Sequence, residues 1–390
     1  MRKIGVFGGT FNPIHNGHIK IAEEIKTRAG LDKVLFVPAG RPPHKEVKDD
    51  VGAERRMEMC RAVCEELGEG FEACDIELRR GKTSYTVDTL SELKERYPKD
   101  ELYLIIGSDM LTTFTRWREW EKILKLAVIC AAGRTAGESL ESAADLLKSA
   151  GGKVLLFDVS PIEISSTEIR KKASRGIDIK SDVPQKVYEY KNAEKLYKDR
   201  YAGVRSVMKE LLTEKRYLHS EAVALRAAEL AERYGAGSEL EEKAYFAGLV
   251  HDICKDMSAE RQLEIIKKGT LKITGSELSA KSLYHSKAGA EYIISEFGVT
   301  DEDIINAVRY HTEARAKMSE LEKIVYLADL TSEDRDYSDV EIMREISQRD
   351  KNEAMRYALE FIVGDLKRRG FGVSDNTREA YMESIAQSKD

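Results

Sequence analysis

The chain has 390 residues, 42% of them hydrophobic and 34% charged, which is material for two or more domains with cores of their own. A net charge of −6, with acidic and basic residues interspersed, argues against a broad, sequence-independent hold on nucleic acid and reads as solvated helix faces. The five cysteines (Cys60, Cys64, Cys74, Cys130, Cys254) form no CxxC pair and, being odd in number, argue against a disulfide framework. The run after Met1-Arg2-Lys3 is too short for a signal peptide, and apolar runs such as Leu126 to Gly133 are too short to span a bilayer, so a soluble, cytoplasmic protein is expected.

In chain order, the apolar run Ile4 to Phe7 predicts a short buried strand leading into Gly8-Gly9. Gly17-His18 then opens a helical pattern through Ile21, Ile25 and Ala29. Glycines at a strand-to-helix junction allow a tight turn and let a phosphate approach the backbone. His15 and His18, three apart, can aim at one point, where imidazolium donors would add to a helix N-terminus that already favours anions. The spacing of Gly5, Gly8 and Gly9 is not the dinucleotide fingerprint, and Gly81-Lys82-Thr83 is not a Walker loop because Ile76 stands at its first glycine position.

Further strands are expected at 34–37, 102–106, 127–131 and 154–157, with helical patterns at 53–67, 86–97 and 140–150 between them. Such alternation predicts a parallel sheet covered on both faces, with ligands beyond the carboxyl ends of the strands. Three post-strand stretches carry chemistry. Pro42-Pro43 stiffens a loop that presents His44 and Lys45. Gly107-Ser108-Asp109 precedes Trp117 and Trp120, the only tryptophans, each either a core anchor or a stacking face for a flat ring. Ser165-Ser166-Thr167, with Arg170, has the pattern of a helix N-cap and a second anion cradle.

The string GGTFNPIHNGH, containing His15-Asn16-Gly17-His18, resembles the (T/H)xGH signature of the nucleotidyltransferase superfamily and is similar to the bacterial nicotinate-nucleotide adenylyltransferases. The resemblance continues over about 1–198 through the PPHK loop, Asp75/Glu77/Arg79, Ser84-Tyr85-Thr86, GSDML with Trp117, and ISSTEIR. It implies a Rossmann-like α/β nucleotidyltransferase domain that transfers AMP from ATP to nicotinate mononucleotide, with Mg²⁺ accompanying ATP. In that scheme Gly8, Gly9, Thr10, Phe11, His15, His18, Ser166, Thr167 and Arg170 hold ATP, with His18 nearest the α-phosphate. Lys45 assists with phosphate charge, and His44, Lys45, Tyr85, Thr86, Ser108, Asp109 and Trp117 shape the mononucleotide pocket. Catalysis is then positioning and charge neutralisation, with His18, His15 and Lys45 as the catalytic groups. Pantetheine-phosphate or nicotinamide-mononucleotide adenylyl transfer is the alternative.

Beyond about Lys198 to Gly203 the alternation stops, no proline follows Pro184, and stripes such as Val223, Ala227, Leu230, Ala231 and Tyr234 predict an all-α second half. Four of the seven histidines lie here, His219, His251, His285 and His311, with Asp252 beside one and Asp329 inside an apolar run. A carboxylate there is costly to bury unless a cation or donor meets it. Histidines and acids gathered from separate helices suit a metal of borderline hardness held inside a bundle.

The order H…HD…H…H…D resembles the HD phosphohydrolase superfamily, and RYLHS, AGLVHDICKD, HSKAGA, YHT and AD look like its YqeK-type symmetrical dinucleoside tetraphosphatases, over about 204–390. This implies an HD-domain helical bundle in which His219, His251, Asp252 and Asp329 are metal ligands. His285 and His311 complete a second metal position or touch substrate, and Lys255 and Arg216 meet phosphate oxygens. Iron is the family's usual metal, and diadenosine tetraphosphate giving two ADP is the implied reaction. Glu313-Ala314-Arg315 after YHT, and the missing glutamate-proline after Ala328-Asp329, depart from the family pattern. A nucleotide phosphatase, a cyclic-dinucleotide phosphodiesterase and a non-catalytic nucleotide sensor are the alternatives. The expected partners are thus ATP, nicotinate mononucleotide and a dinucleoside polyphosphate, without nucleic acid or membrane, with homo-oligomerisation left open.

Overall fold

The computed structural model describes residues 1–40, 49–81, 83–133, 138–160, 164–275, 277 and 280–386. His44 and Lys45 lie outside the described residues. The chain forms two compact units, Met1–Ala202 and Gly203–Asp390.

The first unit is built on six parallel strands, β1 (Lys3–Gly9), β2 (Lys33–Pro38), β3 (Phe71–Ala73), β4 (Glu101–Gly107), β5 (Ala127–Gly133) and β6 (Val154–Asp158). Their order is β3-β2-β1-β4-β5-β6. In β1, Val6 pairs with Leu35 on one side and Leu104 on the other, so the strand is central. Its side chains alternate between two cores. Phe7 joins Phe36, Ile105 and Cys130 on one face, while Ile4 and Val6 join Leu35, Leu104 and Ile129 on the other. Burial on both faces explains why these strands read as unbroken apolar runs. The strand order reverses between β1 and β4, and in an open α/β sheet the crevice at that switch point, beyond the carboxyl ends, is where ligands bind. β1 ends there at Gly8-Gly9, and β4 at Gly107.

β3 was not expected from the sequence. It is a three-residue edge strand with half-buried and exposed side chains, too short to set up a period. The helix Asn16–Ala29 begins one residue before the expected Gly17 and ends at Gly30, whose φ of 64° is the left-handed cap that glycine takes without strain.

Every regular element of the second unit, among the described residues, is helical. Helices Glu214–Arg233, Gly237–Val250, Tyr284–Phe297, Glu302–Tyr310 and Glu320–Thr331 form its middle. The first two pack closely because Gly248 faces the backbone of the neighbour: a Cβ there would stand 2.9 Å from Ala224 Cα. No described helix is long and apolar enough to cross a membrane. The five cysteines are free thiols.

Candidate functional site

In the first unit a cleft of about 850 Å³ lies at the switch point. Gly8, Gly9, Thr10, Phe11, His15 and His18 line one wall, Ser108 and Asp109 another, and Ser166, Thr167 and Arg170 a third. Three strand ends, far apart in sequence, thus converge as the fold class requires.

The two imidazoles lie against each other, ring centroids 3.7 Å apart and planes tilted by 36°. The backbone N–H of His15 donates to His18 Nδ1 at 3.2 Å, which leaves Nε2 as the protonated nitrogen of a neutral ring. Burial lowers the His15 pKa to about 4, against a smaller opposing pull from Asp182. Burial, and then the proximity of His15, hold His18 well below its ordinary value. The sequence suggests imidazolium donors, but in the folded protein both rings are neutral at neutral pH, because a packed pair of imidazoles cannot both carry charge out of water. A neutral ring still donates one hydrogen bond, and a polyphosphate would raise both pKa values on arrival.

The approach of the chain to these rings depends on Gly9, where a Cβ would stand 2.9 Å from the Phe11 ring. Phe11 in turn meets His18 edge-on, centroids 5.0 Å apart. Ser165 Oγ accepts from Glu168 N at 3.1 Å and caps helix Ser166–Ser174, the N-cap the sequence signals. Ser166 Oγ donates to Pro13 O at 2.9 Å and Arg170 Nη1 to Asn12 O at 2.8 Å, so this helix N-terminus is fastened to the histidine loop. Arg170 Nε is buried and has no hydrogen-bond partner among the described residues, so one donor of the guanidinium remains for an anion.

Tyr85, Thr86 and Trp117 are not among the residues lining this cleft. Tyr85 precedes helix Thr86–Arg96 and lies under the Arg118 guanidinium, 4.6 Å from its ring centroid. Trp117 is half-buried and stacks on Phe114 at 5.0 Å.

Arg56 is a site residue the sequence does not announce. It is fully buried, and its guanidinium reaches Thr10 O at 2.9 Å, Ala39 O at 2.7 Å and Asp50 Oδ1 at 3.0 Å. It therefore ties together the loops after β1 and β2. Its partners are mostly main-chain carbonyls, which leave no mark in a sequence.

In the second unit four histidines and two aspartates meet. His219 Nε2 is 3.1 Å from Asp329 Oδ1, His251 Nε2 is 3.7 Å from Asp252 Oδ2, and His311 Nε2 and His285 Nε2 are 3.3 Å and 3.4 Å from Asp252 Oδ1. Each ring is oriented by a bond at its other nitrogen. His251, His311 and His285 donate from Nδ1 to the carbonyls of Gly248, Val308 and Ser282, at 2.7, 2.8 and 3.0 Å, always three residues back. His251 and His311 occupy helix C-caps, where such carbonyls lack intrahelical partners. His219 Nδ1 is held by Asp334 Oδ2 at 2.8 Å. All four Nε2 atoms are thereby turned to one centre, the supporting arrangement metal-binding histidines need.

The protonation states suit a cation. Burial lowers the His251 pKa to about 4 and that of His285 well below its ordinary value, so both rings are neutral. Burial opposes charge on Asp252, but His251 and His311 outweigh it and hold the carboxyl well below the usual range. Asp329 is lowered likewise, against burial, first by its bond from His219. Neutral imidazole and ionised carboxylate are the ligating forms, so His219, where burial is outweighed by Asp329 and Asp334 and the pKa is raised, must give up its Nε2 proton when a metal binds.

Two overlapping donor groups can each hold an ion, His219–His251–Asp329 and His251–Asp252–His311. Two buried acceptors in the centre, His251 Nε2 and Asp252 Oδ1, have no hydrogen-bond partner among the described residues. A divalent cation would satisfy both, and nitrogen with carboxylate oxygen suits a first-row transition metal. Arg216 Nη1 lies 3.4 Å from Asp252 Oδ2, and Lys255 Nζ lies 2.8 Å from His285 Nε2. Arg335, unassigned from the sequence, binds Asp329 through its guanidinium and reaches His219 Nε2 at 3.4 Å.

The first unit, with its switch-point cleft, matches the cytidylyltransferase-like family model over residues 6–172, and the histidine–aspartate centre of the second falls within an HD domain match over residues 216–334. Over 205 residues the chain is 40% identical to a probable nicotinate-nucleotide adenylyltransferase of Maridesulfovibrio salexigens, covering 49% of this chain and 94% of that protein. Its counterpart in Citrifermentans bemidjiense is 37% identical over 215 residues, 50% of this chain and 99% of that protein. In its first half the chain belongs to the nicotinate-nucleotide adenylyltransferase family. Among solved structures, a predicted HD superfamily hydrolase involved in NAD metabolism from Clostridium acetobutylicum is 32% identical, covering 48% of this chain and 97% of that one, with a TM-score of 0.46.

Proposed function

We propose that residues 1–198 transfer AMP from ATP to nicotinate mononucleotide, releasing pyrophosphate and nicotinate adenine dinucleotide. Residues 204–390 would hydrolyse diadenosine tetraphosphate to two ADP, as a YqeK-type HD enzyme. The observation that carries the first reading is the closely packed His15–His18 pair sharing one cleft with Ser166, Thr167 and Arg170. The one that carries the second is the convergence of four oriented imidazoles on two ionised aspartates.

For adenylyl transfer no protein nucleophile is required. The phosphate of the mononucleotide attacks the α-phosphorus and pyrophosphate leaves in line. His18 Nε2–H donates toward an α-phosphate oxygen, and His15 and Thr10 meet the neighbouring phosphates. The helix N-terminus at Ser166-Thr167, with Arg170, takes up charge on the departing pyrophosphate. Ser108 and Asp109, at the end of β4, bound the mononucleotide side. Mg²⁺, arriving with ATP, supplies further charge neutralisation.

In the second unit His219, His251, Asp252 and Asp329 would hold a divalent transition metal, iron by family habit, with His311 beside it. When bound, such a metal acidifies water and stabilises charge on a phosphoryl oxygen. Arg216 and Lys255 stand close enough to Asp252 to meet phosphate oxygens at the same centre. Asp334 keeps His219 in its ligating tautomer.

The test is product analysis of the full chain. ATP is supplied with nicotinate mononucleotide, nicotinamide mononucleotide and pantetheine phosphate in turn, and diadenosine tetraphosphate separately with and without chelator. The dinucleotide should form fastest from nicotinate mononucleotide, and ADP should appear only when metal is present. Faster reaction with another acceptor, or bound metal without ADP release, would overturn the corresponding half.

A further inference from the structure

A second cavity, of about 1010 Å³, opens from the metal centre of the second unit, and its two ends differ in chemistry. Lys255, His285 and Thr312 line the end at the centre. Lys255 Nζ is 3.6 Å from Asp252 Oδ1, and Thr312 Oγ1 is 3.1 Å from His285 Nε2. The wall supplied by the C-terminal helices is mixed: Ile362, Leu366 and Phe371 stand among Asp365, Asp375 and Asn376. A cationic end beside the histidine–aspartate centre, joined to a wall that offers an aromatic ring among hydrogen-bonding groups, has the chemistry of a nucleotide site, phosphates at one pole and base at the other. The volume is at the top of the range, about 300–1,000 Å³, of pockets that bury small organic ligands.

Phe371 stands out on that wall. Helix Lys351–Arg368 closes with Gly370 at φ 73°, Gly370 N bonded to Lys367 O and Phe371 N to Leu366 O at 2.9 Å. This is the Schellman cap, and the hydrophobic residue at Phe371's position in it ordinarily folds down onto the last turn of the helix. Here the residue is 56% exposed. Among the described residues it is the one large, exposed hydrophobic side chain of this unit that lines the cavity. Arg369, 5.1 Å from the ring centroid and tied to Asp365 at 3.2 Å, braces one side. The ring is thus presented from a hydrogen-bonded helix cap, with apolar area left uncovered at the mouth of a site whose other end suits phosphate.

We propose that this cavity is a nucleoside subsite of the phosphohydrolase centre and that Phe371 is the face on which the base of the nucleotide stacks. The inference rests on reading the second unit as a nucleotide phosphohydrolase and names the residue that would select a nucleoside-bearing substrate over bare polyphosphate. A stacked base contributes enough binding that truncating the aromatic costs about tenfold or more in affinity.

The test uses the full chain in two arms. In the first, 8-azido-ADP is photolysed with the protein and the labelled peptides are mapped. Label should fall on the peptide holding Phe371, be competed by ADP, be lost in Phe371→Ala and persist in Phe371→Trp. In the second arm, Phe371→Ala should raise KM for diadenosine tetraphosphate about tenfold, leave kcat within about twofold and leave hydrolysis of inorganic tripolyphosphate unchanged. ADP release with an unaltered KM in Phe371→Ala and no label at that peptide would overturn the subsite while sparing the hydrolase reading. Label at Phe371 without ADP release by the wild-type chain would support the subsite and sink the hydrolase reading.

Discussion

Replacing Arg56 with alanine tests whether the adenylyl-transfer cleft is assembled by one buried cation. The side chain is fully buried, so in the native protein its bonds are made without competition from water. Its removal strands Thr10 O and Ala39 O, now held at 2.9 and 2.7 Å, and frees Asp50 from a 3.0 Å contact. Each bare buried carbonyl costs about 1–3 kcal/mol. Asp50 is partly exposed and can rehydrate, so its loss adds little. The sum is about 4 kcal/mol for the first unit, which for a domain of this size lowers Tm by about 10 °C. Both tryptophans, Trp117 and Trp120, lie in this unit, so indole fluorescence during heating reports on it alone. Because Thr10 lines the cleft, KM for ATP should rise in the same variant. Arg56→Lys, with one donor group in place of a fork, should recover only part of the loss. A drop of less than about 3 °C with ATP affinity unchanged would refute the claim that this residue ties the two loops together.

Other expectations concern the second unit. Asp334→Asn removes the carboxylate that orients His219, so metal affinity should fall about 10- to 100-fold with the fold retained, as read by metal analysis against competing chelators; unchanged metal content would contradict the role given to Asp334. Burial pushes the Glu277 carboxyl up, but Thr274 N–H, Lys287 and Arg309 outweigh it and hold the pKa at about 2, against an ordinary 4.5. A depressed folded-state pKa means stability that is full above 4.5 and lost as pH falls toward 2, about 3 kcal/mol at most. Glu277→Gln should therefore destabilise this unit at pH 7 and flatten its acid denaturation, followed by hydrogen exchange in the helix Tyr284–Phe297; an unaltered acid profile would show that the cluster is neutral to stability. Gly248→Ala should cost about 1–3 kcal/mol, because the new Cβ meets backbone at Ala224 that cannot swing aside. A Tm equal to wild type would show that the helices can separate freely there.

The parallel sheet was legible because strands buried on both faces leave runs such as Leu102 to Ile106 with no polar interruption. The all-α second half was legible from helical stripes and from the end of proline after Pro184. The edge strand Phe71–Ala73 escaped notice because three half-covered residues carry no period. The family resemblance pointed to residues that do line the cleft or gather in the histidine–aspartate cluster, but also to Tyr85, Thr86 and Trp117, which do not line the cleft, and it said nothing of charge. The histidine pair at His15 and His18 suggests cations, whereas burial, invisible in sequence, makes it neutral. Arg56 reads as a solvated helix position in Glu54-Arg55-Arg56-Met57 and is in fact fully buried. Asp334 and Arg335 sit in the charged run Glu333-Asp334-Arg335-Asp336, which resembles an ordinary surface turn until the fold brings it against His219 and Asp329.

The central claim is that one chain carries two separate chemistries, phosphate positioning by a histidine pair and hydrolysis at a histidine–aspartate centre. The most direct measurement is chromatography of products from intact His18→Ala and His251→Ala proteins, each given ATP with nicotinate mononucleotide and, separately, diadenosine tetraphosphate with metal. The account predicts that His18→Ala loses dinucleotide formation and keeps ADP release, and that His251→Ala does the reverse. Loss of both products in either variant that remains folded, or retention of both, would contradict it.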